Sequence, residues 1–255
     1  MTRLVSGLAL AAAALAAIIL LPPSLLVVVA GVVTALAAHE FIGITGPRDA
    51  VSQWLAVVLA IVTCVLIAMA PLNAVVVALL GLALIAVEVL FRNRTIREAA
   101  MGLVAAIYVG LPLGLLVAMH ARLGWRGTLL LIGTVAVSDS AQYYSGRAFG
   151  RRPLAPTISP KKTMEGAIGG VVVGTAFMAI AGRWALPVLA TLPLALAGIV
   201  VVVFGIGGDL FESRLKRVAG VKDSSTLIPG HGGVLDRIDA LLFAVPAFYV
   251  FLQAQ

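Results

Sequence analysis

Apolar runs long enough to be membrane spans recur from one end of this chain to the other, separated by short polar stretches. A spanning helix needs about 20 predominantly apolar residues. Nine segments approach that pattern: roughly residues 4–21, 24–38, 52–70, 72–90, 99–120, 127–144, 166–184, 186–209 and 238–252. The expected fold is all-α, a polytopic integral membrane protein of about nine transmembrane helices. Residues 1–98 carry helices one to four. Residues 99–255 carry helices five to nine, together with two polar loops at 145–165 and 208–239. The second run is short, and Pro22-Pro23-Ser24 leaves little room to turn, so a re-entrant pair within 4–38 is the alternative there. Met1-Thr-Arg3 before an Ala/Leu run is also the pattern of a secretory signal, but Pro22-Pro23 ends that run without a cleavage motif. It is read as the first spanning helix.

Composition agrees with lipid as the solvent. Of 255 residues, 62% are hydrophobic and 11% charged, whereas soluble domains carry about 25% charged residues. The net charge of +7 does not call for nucleic acid, because cytoplasmic loops of membrane proteins accumulate Lys and Arg. With a cytoplasmic N-terminus and nine spans, 15 of the 18 basic residues fall on the inner side. This orientation puts both polar loops in the cytoplasm and the C-terminus outside, in a multi-pass protein of the cell inner (plasma) membrane. Cys64 is the single cysteine, so it forms no internal disulfide and is assigned to packing.

The chemistry concentrates in the two polar loops. Asp139 lies within an apolar segment and Asp209 ends another, at depths where an ionisable group costs on the order of 2.5–3.5 kcal/mol on the insertion scale. If the eighth helix continues past Asp209, then Asp209, Glu212, Ser213 and Lys216 share one face. That set suits a cation and phosphate oxygens. An ordinary amphipathic helix end, with Glu212 and Lys216 as a surface pair, fits the same spacing. Further on, Pro229-Gly230-His231-Gly232-Gly233 is a flexible loop whose N–H groups could approach an anion. Asp236 and Asp239 follow at the start of the last helix, where capping is an equally good reason for a carboxylate. Lys222-Asp223 lies between the two acidic clusters.

No HExxH or similar histidine pair occurs, so zinc is not expected. Mg²⁺ fits better, since it takes one or two carboxylates and completes its shell with waters and substrate phosphates. No GxxxxGK[ST] loop is present. The earlier loop, from Asp139 through Arg147 to Lys161-Lys162-Thr163, carries five basic residues. By charge alone it reads first as a positive-inside loop touching anionic lipid heads, and second as a phosphate surface. Thr163 is a candidate cap for a helix starting near Met164.

Residues 213–239 resemble the defining pattern of the bacterial phosphatidate cytidylyltransferases (CDP-diacylglycerol synthases). The matching residues are Ser213-x-Leu215-Lys216-Arg217, then Lys222-Asp223, Pro229-x-His231-Gly232-Gly233 and Asp236-Arg237-x-Asp239. Gly208-Asp209 through Glu212-Ser213 extends the match, as do Ser159-Pro160-Lys161-Lys162-Thr163-x-Glu165-Gly166 and Asp139…Tyr143…Gly146-Arg147. The anchored resemblance covers about residues 139–239. It implies a nucleotidyltransferase that joins CTP to phosphatidic acid, with release of pyrophosphate, at the cytoplasmic face of the bilayer. By position, it implies Asp209 and Asp236 as metal carboxylates for Mg²⁺, with K⁺ as a candidate second cation. It places Lys222, Asp223 and Asp239 in the catalytic set. It assigns substrate binding to Asp139, Arg147, Lys161, Lys162, Ser213, Lys216, Arg217, His231, Gly232, Gly233 and Arg237. The expected partners are CTP, phosphatidic acid and the bilayer, without nucleic acid, and a homodimer is an open arrangement. Gln142 departs from the family pattern, which has a small residue there. The competing readings are a CTP-dependent lipid kinase of the polyprenol type, an archaeol-type cytidylyltransferase and, more distantly, a transporter.

Overall fold

The computed structural model describes residues 2–46, 49–71, 74–92, 94–228, 230 and 232–255, with side chains from residue 7 onward and without that of residue 74. The chain is almost wholly helical: α1 (Thr2–Leu20), α2 (Pro23–Thr45), α3 (Ala50–Met69), α4 (Ala74–Arg92), α5 (Ile96–Ala105), a π-helical turn (Ala106–Gly110), α6 (Leu111–Phe149), α7 (Met164–Ala185), α8 (Thr191–Val218) and α9 (Leu235–Gln253). Among the described residues, six helical runs are long and apolar enough to cross a membrane: Pro23–Thr45, Ala50–Met69, Val75–Arg92, Ile96–Phe149, Met164–Ala185 and Thr191–Val218. The Ile96–Phe149 run holds 54 residues, more than twice what one span needs. It bends at Gly124, whose φ of 68° is non-helical.

Two local features differ from the sequence expectation. The second apolar helix extends well past Ala38. It takes in His39 and Glu40 and reaches 23 residues, about 35 Å at 1.5 Å per residue. Pro22 caps it and Pro23 occupies its first turn, where a missing N–H costs nothing. The second feature is a two-stranded antiparallel hairpin within the 145–165 loop, β1 (Pro153–Ala155) against β2 (Ser159–Thr163). The fold is therefore all-α except for this hairpin.

The chain forms two compact units, Met1–Ala121 with Val218–Ile238 and Arg122–Arg217 with Asp239–Gln255. In the first, α3 packs against α2, α5 and the π turn, and α4 against α5. Small residues permit the close approach. A Cβ at Gly110 would lie 2.3 Å from the Ala60 carbonyl oxygen, and one at Gly114 would lie 2.5 Å from that of Cys64. Cys64 is buried with a free thiol, in the packing role expected of it. Asp49 caps α3 by accepting from Ser52 N, and Thr95 and Glu98 form a capping box on α5.

In the second unit, α7 presents Gly166, Gly170 and Gly174 as a buried stripe. A Cβ at Gly170 would sit 2.4 Å from Gln142 Cγ, and one at Gly174 would sit 3.1 Å from Ser138 Cβ. In lipid, helices associate by such close packing of small residues and not by hydrophobic exclusion. At the far end of this pair, Arg126 stacks over Trp184 at 4.7 Å and Trp125 packs edge-on against Trp184.

Candidate active site

Helix α8 continues through the Asp209–Lys216 segment without a break. Its 28 residues extend about 42 Å, some 12 Å more than the hydrocarbon core. Asp209 lies toward the C-terminal end of this helix. Asp209 Oδ2 pairs with Lys162 Nζ from the hairpin, and Asp209 Oδ1 accepts from Ser213 Oγ at 3.4 Å, one turn along α8. Asp139 on α6 and Asp239 on α9 lie within electrostatic reach of Asp209 and of each other. Lys162 also acts on Asp139, and Lys216 on Asp239. Three carboxyl groups and two lysines are thus gathered within one unit.

Glu212 and Lys216 do pair one turn apart, but not on the surface. Glu212 is fully buried. The spacing was legible in the sequence; the burial was not, because it depends on which face of α8 meets its neighbours. Gln142, the departure from the family pattern, donates through Nε2 to Asp139 Oδ1 at 2.9 Å. It fits because position 170 is glycine.

The hairpin is fastened at both ends. Thr163 caps α7 by accepting from Gly166 N at 3.1 Å, as its position predicts. Glu165 Oε2 accepts from the backbone N–H groups of Arg151 and Arg152. Arg217 Nε donates to the Ile158 carbonyl in the hairpin turn at 3.3 Å. These contacts hold Lys162 toward Asp209 and leave Lys161 exposed on the same strand. Arg147 donates to Tyr143 Oη at 3.3 Å, also on an exposed face.

The C-terminal motif loop belongs to the first unit up to Ile238. Lys222, Asp223 and Arg237 are exposed. Asp236 Oδ2 accepts from Ser224 N at 2.9 Å, Ser224 Oγ at 2.9 Å and Gly233 N at 2.7 Å. Gly232 adopts φ +79°, and a Cβ there would meet Asp236 Oδ2 at 2.6 Å. A left-handed conformation and a neighbouring carboxylate therefore both require glycine. His231 lies outside the described residues.

One residue of this loop's framework escaped the sequence reading. Glu40, from α2, is 6% exposed and accepts from Ser224 Oγ, Ser225 Oγ, Val234 N and Leu235 N. The available signal was an acid immediately after an apolar run.

The donor chemistry fits a hard divalent cation. Asp139, Asp209, Asp239 and Ser213 offer only oxygen, and Asp209 already takes a cationic partner in the Lys162 ammonium. Among the described residues, no three His, Cys, Asp or Glu side chains are grouped so as to hold a metal ion. A cation held by one or two carboxylates, with water and phosphate oxygens completing its shell, matches such an open donor set.

These features define a helical membrane protein with a carboxylate and lysine cluster near the C-terminal end of α8. The chain belongs to the cytidylyltransferase family, whose model matches residues 1–255. It is 44% identical over 158 residues to the phosphatidate cytidylyltransferase of Pseudomonas aeruginosa, covering 56% of this chain and 57% of that protein. It is 37% identical over 174 residues to the phosphatidate cytidylyltransferase of Bacillus subtilis, covering 67% and 65%. It is 45% identical over 130 residues to the uncharacterized protein YnbB of Escherichia coli, covering 50% and 43%. The chain spans about half the length of curated relatives it matches. The resemblance read from residues 139–239 holds at the level of the family, and the family match takes in the N-terminal helices as well.

Proposed function

We propose that this protein is a phosphatidate cytidylyltransferase, converting CTP and phosphatidic acid to CDP-diacylglycerol and pyrophosphate at the cytoplasmic face of the cell membrane. The observation that carries the reading is the pairing of Lys162 with Asp209 beside Asp139, Asp239 and Lys216, at the end of a membrane-length helix. Family membership and the relatives' names support it. The layout suits two anionic substrates, one arriving from lipid and one from water.

In this reaction a phosphate oxygen of phosphatidate attacks the α-phosphorus of CTP. The bond from that phosphorus to the bridging oxygen breaks, and pyrophosphate leaves with the electron pair. Little covalent chemistry falls to the protein; its task is to bring two mutually repelling anions together and offset the charge that develops. Lys162, Lys216, Arg217, Lys222 and Arg237 supply positive charge for phosphate oxygens, with Arg147 and Lys161 at the entrance. Asp209 and Asp236 are the proposed ligands of Mg²⁺, with K⁺ as a candidate second ion. When bound, such a cation neutralises phosphate charge and acts as a Lewis acid. Asp139 and Asp239 add negative charge beside Asp209, which favours retention of a cation there. Ser213 and Gln142 orient Asp209 and Asp139 by donating to them.

Label position tests the assignment. With purified protein, Mg²⁺ and phosphatidate, label in the α-phosphate of CTP should enter the chloroform-soluble fraction, with an equal yield of pyrophosphate. Entry of γ-label instead, with CDP left in water, would replace this reading by a CTP-dependent lipid kinase. Labelling of an archaeol-type lipid in preference to phosphatidate would move the substrate, not the chemistry. No labelling in either position by well-folded protein would return the transporter reading.

A further inference from the structure

We propose that Glu40, far outside the C-terminal motif, is a positioning residue that folds the motif loop and sets Asp236; its link to catalysis rests on the cytidylyltransferase reading. Between α8 and α9 the chain runs from residue 219 to 234 with almost no regular structure. Among the described residues, Ile228 N donates to Gly232 O at 2.8 Å and, at the start of α9, Arg237 N donates to Val234 O at 3.0 Å. The N–H and hydroxyl groups of this loop also take partners beyond its own backbone.

Two carboxylates provide them. Glu40 Oε1 accepts from Ser225 Oγ at 2.7 Å and Val234 N at 3.0 Å. Glu40 Oε2 accepts from Leu235 N at 2.8 Å and Ser224 Oγ at 3.0 Å. Asp236 Oδ2 then takes Ser224 N, Ser224 Oγ and Gly233 N. Both acids therefore grip the same two stretches, Ser224-Ser225 and residues 233–235. The Ser224 hydroxyl has one proton and stands between the two carboxylates, so it donates to one at a time.

The energetics favour a dedicated role. A buried carboxylate costs several kcal/mol unless its oxygens are satisfied, and hydrogen bonds to an ionised acceptor are about twice as strong as neutral ones. Glu40 meets two hydroxyls and two N–H groups, and the latter lie at the start of α9, where the helix dipole favours negative charge. The fit also explains a motif residue. A Cβ at Gly233 would lie 2.3 Å from Glu40 Oε2 and 2.0 Å from Ser224 Oγ. Gly233 is thus the vacancy into which Glu40 reaches. The same clasp carries Lys222 and Asp223, which immediately precede Ser224.

The test is Glu40→Gln in the full-length protein in detergent. Glutamine keeps the size but turns an NH₂ toward N–H and O–H donors. Two measurements need no turnover. Hydrogen exchange at a peptide covering residues 234–235 should quicken at least 10-fold, and Mn²⁺ binding followed by electron paramagnetic resonance should weaken. In the assay, the Mg²⁺ concentration for half-maximal rate should rise at least 10-fold, and saturating Mg²⁺ should restore most of kcat. Unchanged exchange, or a lost kcat with unaltered metal dependence, would overturn the proposal. If the wild-type protein transfers no cytidylyl group yet Glu40→Gln loosens the loop and weakens Mn²⁺, the enzymatic reading fails and the positioning role stands. Should Glu40→Gln not fold, Ser225→Ala removes one of the four bonds and should speed the same exchange about 3-fold; no change there would equally reject the clasp.

Discussion

Lys162 on the hairpin and Asp209 on α8 form an ion pair between residues 47 positions apart in sequence. The pairing connects the two loops that the sequence marks as chemically rich. It also gives Asp209 a cationic partner inside the protein. In the proposed reaction, a substrate phosphate would offer Lys162 an alternative partner and a divalent cation would offer Asp209 one.

Asp209→Asn and Asp236→Asn should each lower the rate of cytidylyl transfer at least ~10²-fold, several kcal/mol of barrier, while the purified protein remains folded. Lys162→Met should raise the KM for CTP and leave Asp209 without its partner. Initial rates at limiting Mg²⁺ decide the matter. Near-wild-type turnover in either aspartate variant would remove that residue from the ligand set.

Gly207 and Gly208 are adjacent but not equivalent. A Cβ at Gly207 meets nothing within 4 Å, whereas one at Gly208 would lie 2.6 Å from the Asp239 carbonyl oxygen. Gly207→Ala should be neutral or stabilising by up to ~1 kcal/mol, as expected for glycine in a helix. Gly208→Ala should destabilise by about 1–3 kcal/mol through overpacking and disturb the Asp209–Asp239 pair. Thermal unfolding in detergent separates the two, and equal midpoints would contradict the α8–α9 contact.

The basic residues divide by partner. Asp49 pairs with Arg92 at 2.6 Å and also with Arg94, and Glu88 lies 3.4 Å from Arg92. Arg92 and Arg94 are thus members of a structural ion-pair cluster. Arg92→Ala should lower stability on the order of 1 kcal/mol with little effect on kcat, whereas Lys216→Ala and Arg217→Ala should depress activity strongly. The Ser52 N–H bonded to Asp49, with Arg94 and Arg92 beside it, holds the Asp49 carboxyl below its ordinary range. Its contribution is therefore present above about pH 4 and fades as pH falls through the lowered value. The gap in unfolding midpoint between wild type and Asp49→Asn should shrink between pH 7 and pH 3. A constant gap would mean that the charge of Asp49 is not what stabilises.

If the chain crosses nine times, as its apolar runs predict, its two termini lie on opposite faces. A reporter fused after Gln255 should read as extracytoplasmic, and Trp125 and Trp184 with Arg126 should mark the outer interface. A cytoplasmic signal at Gln255 would remove one span, most readily in the 4–38 region.

The composition and apolar periodicity determined the helical membrane architecture, because about 20 apolar residues in lipid have no other way to satisfy their backbone. The helix start at Met164 was equally legible, since Thr163 at the N-cap acts locally. The motif residues announced their family through spacing alone. What the tertiary structure decided was every partnership between distant segments. Glu212 became buried and not a surface acid because α8 turns that face inward. Lys162 reached Asp209 because a hairpin, invisible as an apolar pattern, presents it. Glu40 closed on Ser224, Ser225 and Leu235 across roughly 185–195 positions, a pairing that no local rule encodes. Periodicity reports which face of an element is apolar; the partner of a buried charge is set only when packing brings two such faces together.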